Sequence, residues 1–390
     1  MNTTKTYLAK KVETMKPSGI RRFFDLAAGM EGVVSLGVGE PDFVTSWSVR
    51  EAAIQSLEQG HTSYTANAGL LELRQGISKY MEERFRVKYD PKSEITVTVG
   101  ASQAIDLAFR AILDPGDEVI VVEPSFVSYC PLVELAGGKA VPVQALKENE
   151  FKIQSAQLES VVTNKTKALL ICSPNNPTGT MLTRQDLLEI AQFAEKHDIL
   201  IISDEIYAEL AYDEEYTSMA AIDGMWKRTI LISGFSKGFA MTGWRLGFVC
   251  APEEISQAIL KIHQYAMMCA ATMAQYAAIE ALKSGASDVE EMRKSYRRRR
   301  NYIVQTFNEM GLTCHIPGGA FYAFPSIEST GLSSDEFAER LLAEEKVAVV
   351  PGAVFGESGE GHIRCSYATS MEQLQEATLR IKRFITKLQK

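Results

Sequence analysis

The sequence predicts an α/β fold, in which a mostly parallel β-sheet lies between helices and is joined to a smaller α+β domain. Short β-branched runs alternate with helical patterns from about residue 95 to residue 250, which is typical of βαβ units. The length of 390 residues favours two domains. A hydrophobic fraction of 46% with 23% charged residues is typical of globular chains and excludes the disordered and fibrous classes.

The predicted elements follow one another in βαβ order. Residues 95–99 form the first strand, and Gly100 leads into a helix with apolar residues at helical spacing. The Asp-Pro-Gly-Asp turn at residues 114–117 ends that helix before a strand at residues 118–122. Thr183 is the expected N-cap of a later helix. Further strands are predicted at residues 168–172, 199–203, 229–232 and 246–250.

The regions that flank this pattern predict the second domain. Residues 285–310 are charged and helical, residues 345–370 return to short strands around glycine and proline, and residues 1–45 have no βαβ pattern. We therefore expect residues 46–284 to form the large domain. The small domain would combine the N-terminal 45 residues with residues 285–390.

Charge and composition exclude several functional classes. The 41 basic and 49 acidic residues give a net charge of −8, which argues against nucleic acid as a partner. The four arginines at residues 297–300 are read as a solvated helix face. No stretch reaches ~18 uninterrupted apolar residues and residues 1–16 lack a signal-peptide core, so we expect a cytoplasmic protein with no membrane partner.

The cysteines and histidines form no recognisable metal or disulfide pattern. The six cysteines are far apart without a CxxC pair and are read as buried reduced thiols. None of the five histidines has a partner at metal-binding spacing. We therefore expect no metal.

Lys237 is the first candidate catalytic residue, because it lies in a loop rich in small residues directly after a predicted strand. An unperturbed lysine has a pKa of ~10.4, so a catalytic amine needs burial or a cationic neighbour. Arg245 can be that cation, and it can also grip a phosphate. A lone lysine in such a loop is usually a surface residue, so the assignment of Lys237 as catalytic depends on the residues expected around it.

Three further features follow predicted strands. Asp204 and Tyr207 come at the end of one apolar strand, where α/β sheets place ligand-binding groups. Asn176 lies in a loop dense in proline, asparagine and glycine after another strand, although turn chemistry alone also explains that loop. The turn at residues 99–103 aims a helix N-terminus at an anion without a nucleotide-binding glycine motif. A single phosphate held by this turn and an arginine fits best.

Together these features closely resemble the class I/II aminotransferases, which are fold type I enzymes that use pyridoxal 5′-phosphate (PLP). The resemblance covers nearly the whole chain, and the joint order of its motifs makes it specific. The motifs are Gly37-Val-Gly-Glu-Pro-Asp-Phe43, Tyr64-Thr-Ala-Asn-Ala-Gly69, Ser173-Pro-Asn-Asn-Pro-Thr-Gly179, Ser203-Asp-Glu-Ile-Tyr207, Ser233-Gly-Phe-Ser-Lys-Gly-Phe-Ala-Met-Thr-Gly-Trp-Arg-Leu-Gly247, and Pro351-Gly352 with Arg364-Cys-Ser-Tyr-Ala368. The resemblance implies a seven-stranded type of sheet in a large PLP-binding domain.

The resemblance also implies roles in the chemistry. Lys237 would form the Schiff base with PLP and then move the proton between the substrate α-carbon and C4′ of the cofactor. Asp204 would keep the pyridine nitrogen protonated, while Tyr207 and Asn176 would hydrogen-bond the 3′-oxygen. Phe126 would stack on the cofactor ring.

The phosphate and the second subunit are assigned in the same way. Many relatives have a serine ligand where this chain has Gly234, and Ser236 or Ser233 would take its place. Tyr64 in the family reaches the phosphate of the neighbouring subunit, so the resemblance implies a homodimer with shared active sites. The other expected phosphate ligands are Gly100, Ala101, Ser102, Gln103 and Arg245.

Arg364 resembles the arginine that grips the substrate α-carboxylate, assisted by Asn176 and the Gly39 backbone. Ile20 favours an apolar contact with the substrate side chain, although a flexible arginine or lysine elsewhere can still receive a side-chain carboxylate. The resulting hypothesis is an aminotransferase that moves the amino group of an L-amino acid to a 2-oxo acid by a ping-pong route. The residues leave the donor open among aspartate, alanine, aromatic and larger biosynthetic amino acids.

Other functions on the same fold stay open at this point. A PLP-dependent C–S lyase or a decarboxylase uses the same site, and no single residue excludes either. A non-catalytic PLP-binding regulatory module is the remote alternative. It is disfavoured because only about 30 residues precede the first motif, too few for a helix-turn-helix domain.

Overall fold

The computed structural model describes residues 7–17, 19–20 and 29–389. Its strands, numbered in chain order, are β1 (Val34–Ser35), β2 (Ile95–Thr98), β3 (Glu118–Glu123), β4 (Lys139–Gln144), β5 (Thr166–Cys172), β6 (Leu200–Asp204), β7 (Thr229–Gly234), β8 (Gly247–Cys250), β9 (Tyr322–Ala323), β10 (Val347–Ala348), β11 (Val350–Pro351) and β12 (Ile363–Ser366). The helices with bounds in those residues are α1 (Lys10–Thr14), α2 (Trp47–Glu58), α3 (Leu71–Phe85), α4 (Gly100–Ile112), α5 (Tyr129–Leu135), α6 (Ser155–Glu159), α7 (Arg184–Lys196), α8 (Glu253–Ala266), α9 (Thr272–Ser284), α10 (Ala286–Glu309), α11 (Ser334–Glu345) and α12 (Met371–Leu388).

A seven-stranded sheet with the order β2-β8-β7-β6-β5-β3-β4 forms the centre of the molecule. Strands β3 to β7 pair in parallel, whereas β8 is antiparallel to both of its neighbours. The inner strands are buried along nearly their whole length, as expected for a sheet covered by helices on both faces. The prediction of an α/β fold with a mostly parallel sheet is confirmed.

Most predicted elements begin and end within two residues of the observed ones, but β4 was missed. Its residues are mostly exposed or half-buried and include Pro142, so the strand carries no apolar run. Proline is tolerated there because β4 lies at the edge of the sheet, where one side needs no hydrogen bonds. The Thr183 cap is confirmed, since its side chain accepts a hydrogen bond from the Asp186 backbone N–H.

Two smaller sheets lie beside the large one: β1 pairs with β10, and β11, β12 and β9 form a three-stranded antiparallel sheet. Their core joins Val34 and Leu36 from the start of the described chain to buried residues of α10, α11 and α12. The proposed division into residues 46–284 and the two flanking parts stays a prediction.

The carboxyl ends of β5, β6 and β7 point toward the same edge of the sheet and lead into the loops that carry the predicted site residues. The N-terminus of α4 lies beside this edge, because β2 directly precedes the helix. All six cysteines are free thiols, but Cys130 and Cys269 are only partly buried, so the expectation that all six are buried is wrong for these two. In the described ranges, the helices are too short or too polar to cross a membrane.

Candidate active site

A cavity of about 770 Å³ opens at this edge of the sheet. The residues predicted from the sequence that line it are Ile20, Gly39, Ala101, Ser102, Phe126, Asn176, Asp204, Tyr207, Ser236, Lys237, Arg245 and Arg364. Four predicted residues do not line it: Gly100, Gln103, Tyr64 and Ser233. Gly100 and Gln103 lie in the first turn of α4, where the Gln103 side chain accepts a hydrogen bond from the Val99 N–H at 2.7 Å. Tyr64 is 78% exposed on the outside of the chain.

The Lys237 side chain lines the cavity, and its amino group donates a hydrogen bond to the Gly39 carbonyl at 2.6 Å. Burial lowers the pKa of Lys237 from 10.5 to about 8, because a desolvated ammonium is disfavoured. The nearby Glu40 carboxylate opposes this effect, and the positive charges of Arg364 and Arg245 add to it. Lys237 therefore holds far more neutral amine at neutral pH than an exposed lysine does.

Asp204 ends β6 with its carboxylate facing the cavity, and it is only 4% exposed. One carboxylate oxygen accepts a hydrogen bond from the Tyr129 hydroxyl at 2.7 Å, and the other accepts one from the Ile206 N–H at 3.2 Å. Burial raises the pKa of Asp204, while these two donors and Lys237 oppose the rise. A buried carboxylate with this environment is suited to pair with a cationic ring nitrogen.

Arg364 lies on β12 and brings a buried guanidinium to the cavity wall. Its Nη1 donates to the Asn176 side-chain oxygen at 2.9 Å, and its Nη2 donates to the Gly37 carbonyl at 2.7 Å. Its Nε has no partner although it is buried. A buried cation with unused donors fits a carboxylate ligand, which accepts two parallel hydrogen bonds from a guanidinium.

The N-terminus of α4 and Arg245 form an anion cradle on the opposite part of the lining. Gly100 has a φ of +77°, and a Cβ there would lie 2.5 Å from Arg245 Nη2, so only glycine lets the guanidinium approach the helix end. Ala101 and Ser102 follow in the first turn, whose backbone N–H groups and helix dipole favour an anion. This cradle has the chemistry of a phosphate site.

Gly234, where the resemblance led us to expect a serine in relatives, is closely packed against its neighbours. A Cβ at Gly234 would lie 2.8 Å from the Gly247 Cα and 3.0 Å from the Leu246 carbonyl oxygen, so a side chain would force the backbone apart. Of the two expected substitutes, Ser236 lines the cavity. Ser233 does not line it and donates instead to the Glu205 backbone carbonyl at 3.4 Å.

The cavity thus presents an amine with a lowered pKa, a buried carboxylate, an anion cradle and a buried guanidinium whose Nε has no partner. This donor set fits PLP, which carries an aldehyde, a ring nitrogen and a phosphate, together with a substrate carboxylate. Within the described ranges, no group of three or more His, Cys, Asp or Glu side chains has the geometry to hold a metal ion.

Comparison with known proteins identifies the family. The family model described as aminotransferase class I and II matches residues 31–381. This chain belongs to that family. It is 50% identical to an aspartate aminotransferase of Pyrococcus abyssi over 97% of this chain and 98% of the relative, and 49% identical to aromatic-amino-acid aminotransferase 2 of Thermococcus litoralis over the same shares.

Solved structures agree with the sequence relatives. The aromatic aminotransferase from Pyrococcus horikoshii superposes with a TM-score of 0.90 at 48% identity, covering 94% of this chain and 99% of that chain. The aspartate aminotransferase from Thermus thermophilus with maleate superposes with a TM-score of 0.93 at 40% identity, covering 97% of this chain and all of that chain. The chain therefore has the fold type I architecture, and it is an aminotransferase of a family whose members use PLP.

Sequence reasoning missed several residues that line the cavity. The buried Tyr129 hydroxyl donates to Asp204, and the buried Tyr322 hydroxyl is hydrogen-bonded to the Tyr207 hydroxyl. The Thr242 hydroxyl donates a hydrogen bond to the Glu40 carboxylate. Tyr129 is three residues after Phe126 and was detectable as a second aromatic residue in the same turn. Tyr322 has no such signal, because 115 residues separate it from Tyr207.

Proposed function

We propose that this aminotransferase binds PLP in the cavity and transfers the amino group of an L-amino acid to a 2-oxo acid by a ping-pong route. The observation that carries the proposal is the convergence of three side chains on one cavity. Lys237 has a pKa lowered to about 8, Asp204 is buried, and Arg364 has an unpaired buried Nε. Few arrangements other than a PLP site use all three.

Each group has a role that follows from its surroundings. Bound PLP supplies the electron sink for the pair of electrons left when the substrate α-proton departs. Asp204 stabilises a proton on the ring nitrogen, and the α4 N-terminus with Arg245 holds the phosphate. Lys237 Nζ takes the proton from the α-carbon and returns it to the cofactor carbon, since its lowered pKa allows it to act as a base near neutral pH. Phe126 packs against the ring.

The substrate carboxylate would bind Arg364, which leaves the substrate side chain toward Ile20 and Val38. In the described part of the chain, the cavity cations are Lys237, Arg245 and Arg364, and each has a role in the proposal already. We therefore propose an apolar or aromatic amino donor rather than an acidic one. The relative named an aromatic-amino-acid aminotransferase agrees with this choice, whereas the equally similar relative named an aspartate aminotransferase does not, so the proposal rests on the cavity lining.

The test follows the visible absorption of the purified protein with PLP while amino acids and then 2-oxo acids are added. We expect phenylalanine or tyrosine to bleach the band of lysine-bound PLP faster than aspartate does, and a 2-oxo acid to restore it. The matched control is Lys237→Ala, which should show neither the band nor turnover. A faster reaction with aspartate would refute the donor class. Release of ammonia or sulfide, with the band returning before any 2-oxo acid is added, would indicate a lyase, because elimination regenerates lysine-bound PLP.

A homodimer with shared active sites is also part of the proposal. Tyr64 and Tyr265 are 78% and 89% exposed, and Met267 and Met268 beside Tyr265 are also exposed, so this region presents apolar surface to a partner. The two segments touch, because the Asn67 side chain donates to the Met268 carbonyl at 2.9 Å. Sedimentation equilibrium tests the dimer, and both wild type and Tyr64→Phe should be dimers. The shared site is tested by the Kd of PLP, which should be higher for Tyr64→Phe than for wild type. The cytoplasmic location stays a prediction.

A further inference from the structure

Tyr322 lies where two parts of the active site meet. It is on β9, is 1% exposed, and lines the cavity. Its hydroxyl is 2.9 Å from the Tyr207 hydroxyl. The guanidinium carbon of Arg364 lies over its ring, 4.5 Å from the ring centroid. One tyrosine therefore contacts both the expected carboxylate ligand and the expected partner of the cofactor oxygen.

The backbone holds Tyr322 at this position. In the β9–β12 pairing, Tyr322 lies opposite Ser366, two residues beyond Arg364 on the same strand. A Cβ at Gly39 would lie 2.7 Å from the Tyr322 hydroxyl oxygen, so the hydroxyl packs directly against the Gly39 backbone. The carbonyl of that same glycine accepts the hydrogen bond from Lys237. A displaced Tyr322 would disturb all of these contacts.

Phe355 provides a comparison within the same site. The Arg364 guanidinium carbon also lies over the Phe355 ring, at 5.0 Å, and Phe355 is 2% exposed. Phe355 has no hydroxyl and therefore gives Arg364 an aromatic face without a link to Tyr207. Variants of the two residues therefore distinguish the effect of an aromatic ring on Arg364 from the effect of a hydroxyl group on Tyr207.

We propose that Tyr322 is a positioning residue that couples the substrate-carboxylate site to the cofactor site. Its ring holds the guanidinium of Arg364, and its hydroxyl donates to the Tyr207 hydroxyl, which leaves the Tyr207 proton free for the 3′-oxygen of PLP. This inference rests on the proposed function. The substrate-carboxylate site and the cofactor site share Tyr322, so a substitution that removes both the ring and the hydroxyl of Tyr322 should alter both carboxylate affinity and the pH midpoint of bound PLP.

The test uses the holoenzyme and three variants, Tyr322→Phe, Tyr322→Leu and Phe355→Leu, with two readouts. The first readout is the Kd of 3-phenylpropionate, a carboxylate without an amino group. The second is the pH midpoint of the visible band of bound PLP. Loss of one desolvated cation–π contact is expected to raise the Kd roughly 30-fold. Loss of the strengthening that one hydrogen bond gives to its neighbour is expected to shift the pH midpoint by roughly 0.3 unit.

Each variant should change a different readout. Tyr322→Phe should raise the pH midpoint by less than the rise expected for Tyr207→Phe, and it should leave the Kd within about twofold. Phe355→Leu should raise the Kd by roughly 10-fold or more and leave the midpoint unchanged. Tyr322→Leu should change both. An unchanged midpoint in Tyr322→Phe, or an unchanged Kd in Tyr322→Leu, overturns the coupling.

Failure of the proposed function gives a different result. In that case the wild-type protein shows no visible band with PLP, and the midpoint does not exist. Tyr322→Phe keeps the ring and its packing, so it serves as the folded variant if Tyr322→Leu does not fold. A Tyr322→Phe enzyme with a lower kcat but an unchanged midpoint indicates a structural role alone and also overturns the proposal.

Discussion

The lowered pKa of Lys237 predicts how fast the protein captures PLP at each pH. The amine must be neutral to attack the aldehyde, and burial lowers the pKa from 10.5 to about 8. At pH 7 this change of ~2.5 units increases the fraction of neutral amine roughly 300-fold over an exposed lysine. The rate of capture should therefore rise about tenfold per pH unit up to about pH 8 and then level off.

The assay mixes protein freed of PLP with excess PLP between pH 6 and pH 10 and follows the appearance of the visible band. A lysine with a blocked α-amino group serves as the reference, because its ε-amino group has an ordinary pKa and it corrects for ionisation of PLP itself. The ratio of the two rates isolates the environment of Lys237. It should be largest at low pH and fall above about pH 8, where only the reference lysine continues to gain neutral amine.

Glu40→Gln changes the same quantity in a known direction. The Glu40 carboxylate raises the pKa of Lys237, so its removal should shift the midpoint of capture below that of the wild type. Glu40 is exposed, and an exposed charge pair of ~0.2–1 kcal/mol corresponds to roughly 0.2–0.7 pH unit. The reasoning is refuted if the wild-type rate keeps rising to pH 10, or if Glu40→Gln shifts the midpoint upward.

Three other predictions follow. Tyr129→Phe removes the hydroxyl that donates to Asp204 at 2.7 Å, so the pKa of Asp204 should rise. The Kd of PLP, measured by equilibrium dialysis, should then increase roughly 10-fold or more, and an unchanged Kd contradicts this prediction. Arg364→Leu should lower kcat/KM for amino acids by at least about 30-fold without slowing an alkylamine that has no carboxylate, and equal losses for both would exclude a carboxylate role. Glu205 is 2% exposed with a pKa raised by burial from 4.5 to about 7, so its contribution to stability is present below pH 4.5 and is lost as the pH rises through 7. Glu205→Gln should therefore gain about 2–3 kcal/mol relative to wild type between pH 5 and pH 8 in urea unfolding, and a constant difference would contradict it.

The sheet and its helices were predictable because local signals and burial agree. The strands around β5, β6 and β7 are apolar along their length and end at turn residues, so periodicity located them within two residues. The edge strand β4 has no such run, and its pairing with β3 depends on contacts that the local sequence does not encode. The antiparallel direction of β8 also depends on the path of the connecting loop.

Residues at strand ends were also predictable, because the carboxyl edge of a parallel sheet gathers them. Asp204 and Lys237 were placed in this way before any contact was known. Tyr322 could not be predicted in this way, because its role depends on a hydrogen bond to Tyr207, which lies in a distant part of the chain. The packing of Gly234 against Gly247 could not be predicted either, because it is a contact between two strands.

The long reach of the contacts around Arg364 has a consequence for synthesis of the chain. Its hydrogen bond to the Gly37 carbonyl joins residues 327 positions apart, whereas Lys237 and Gly39 are 198 apart. A ribosome that adds roughly 5–20 residues per second takes on the order of 15–65 s to make that interval. The Lys237 amine is therefore synthesised before the Arg364 guanidinium exists. A product terminated before Arg364 would carry the amine but lack the guanidinium that we propose binds the substrate carboxylate.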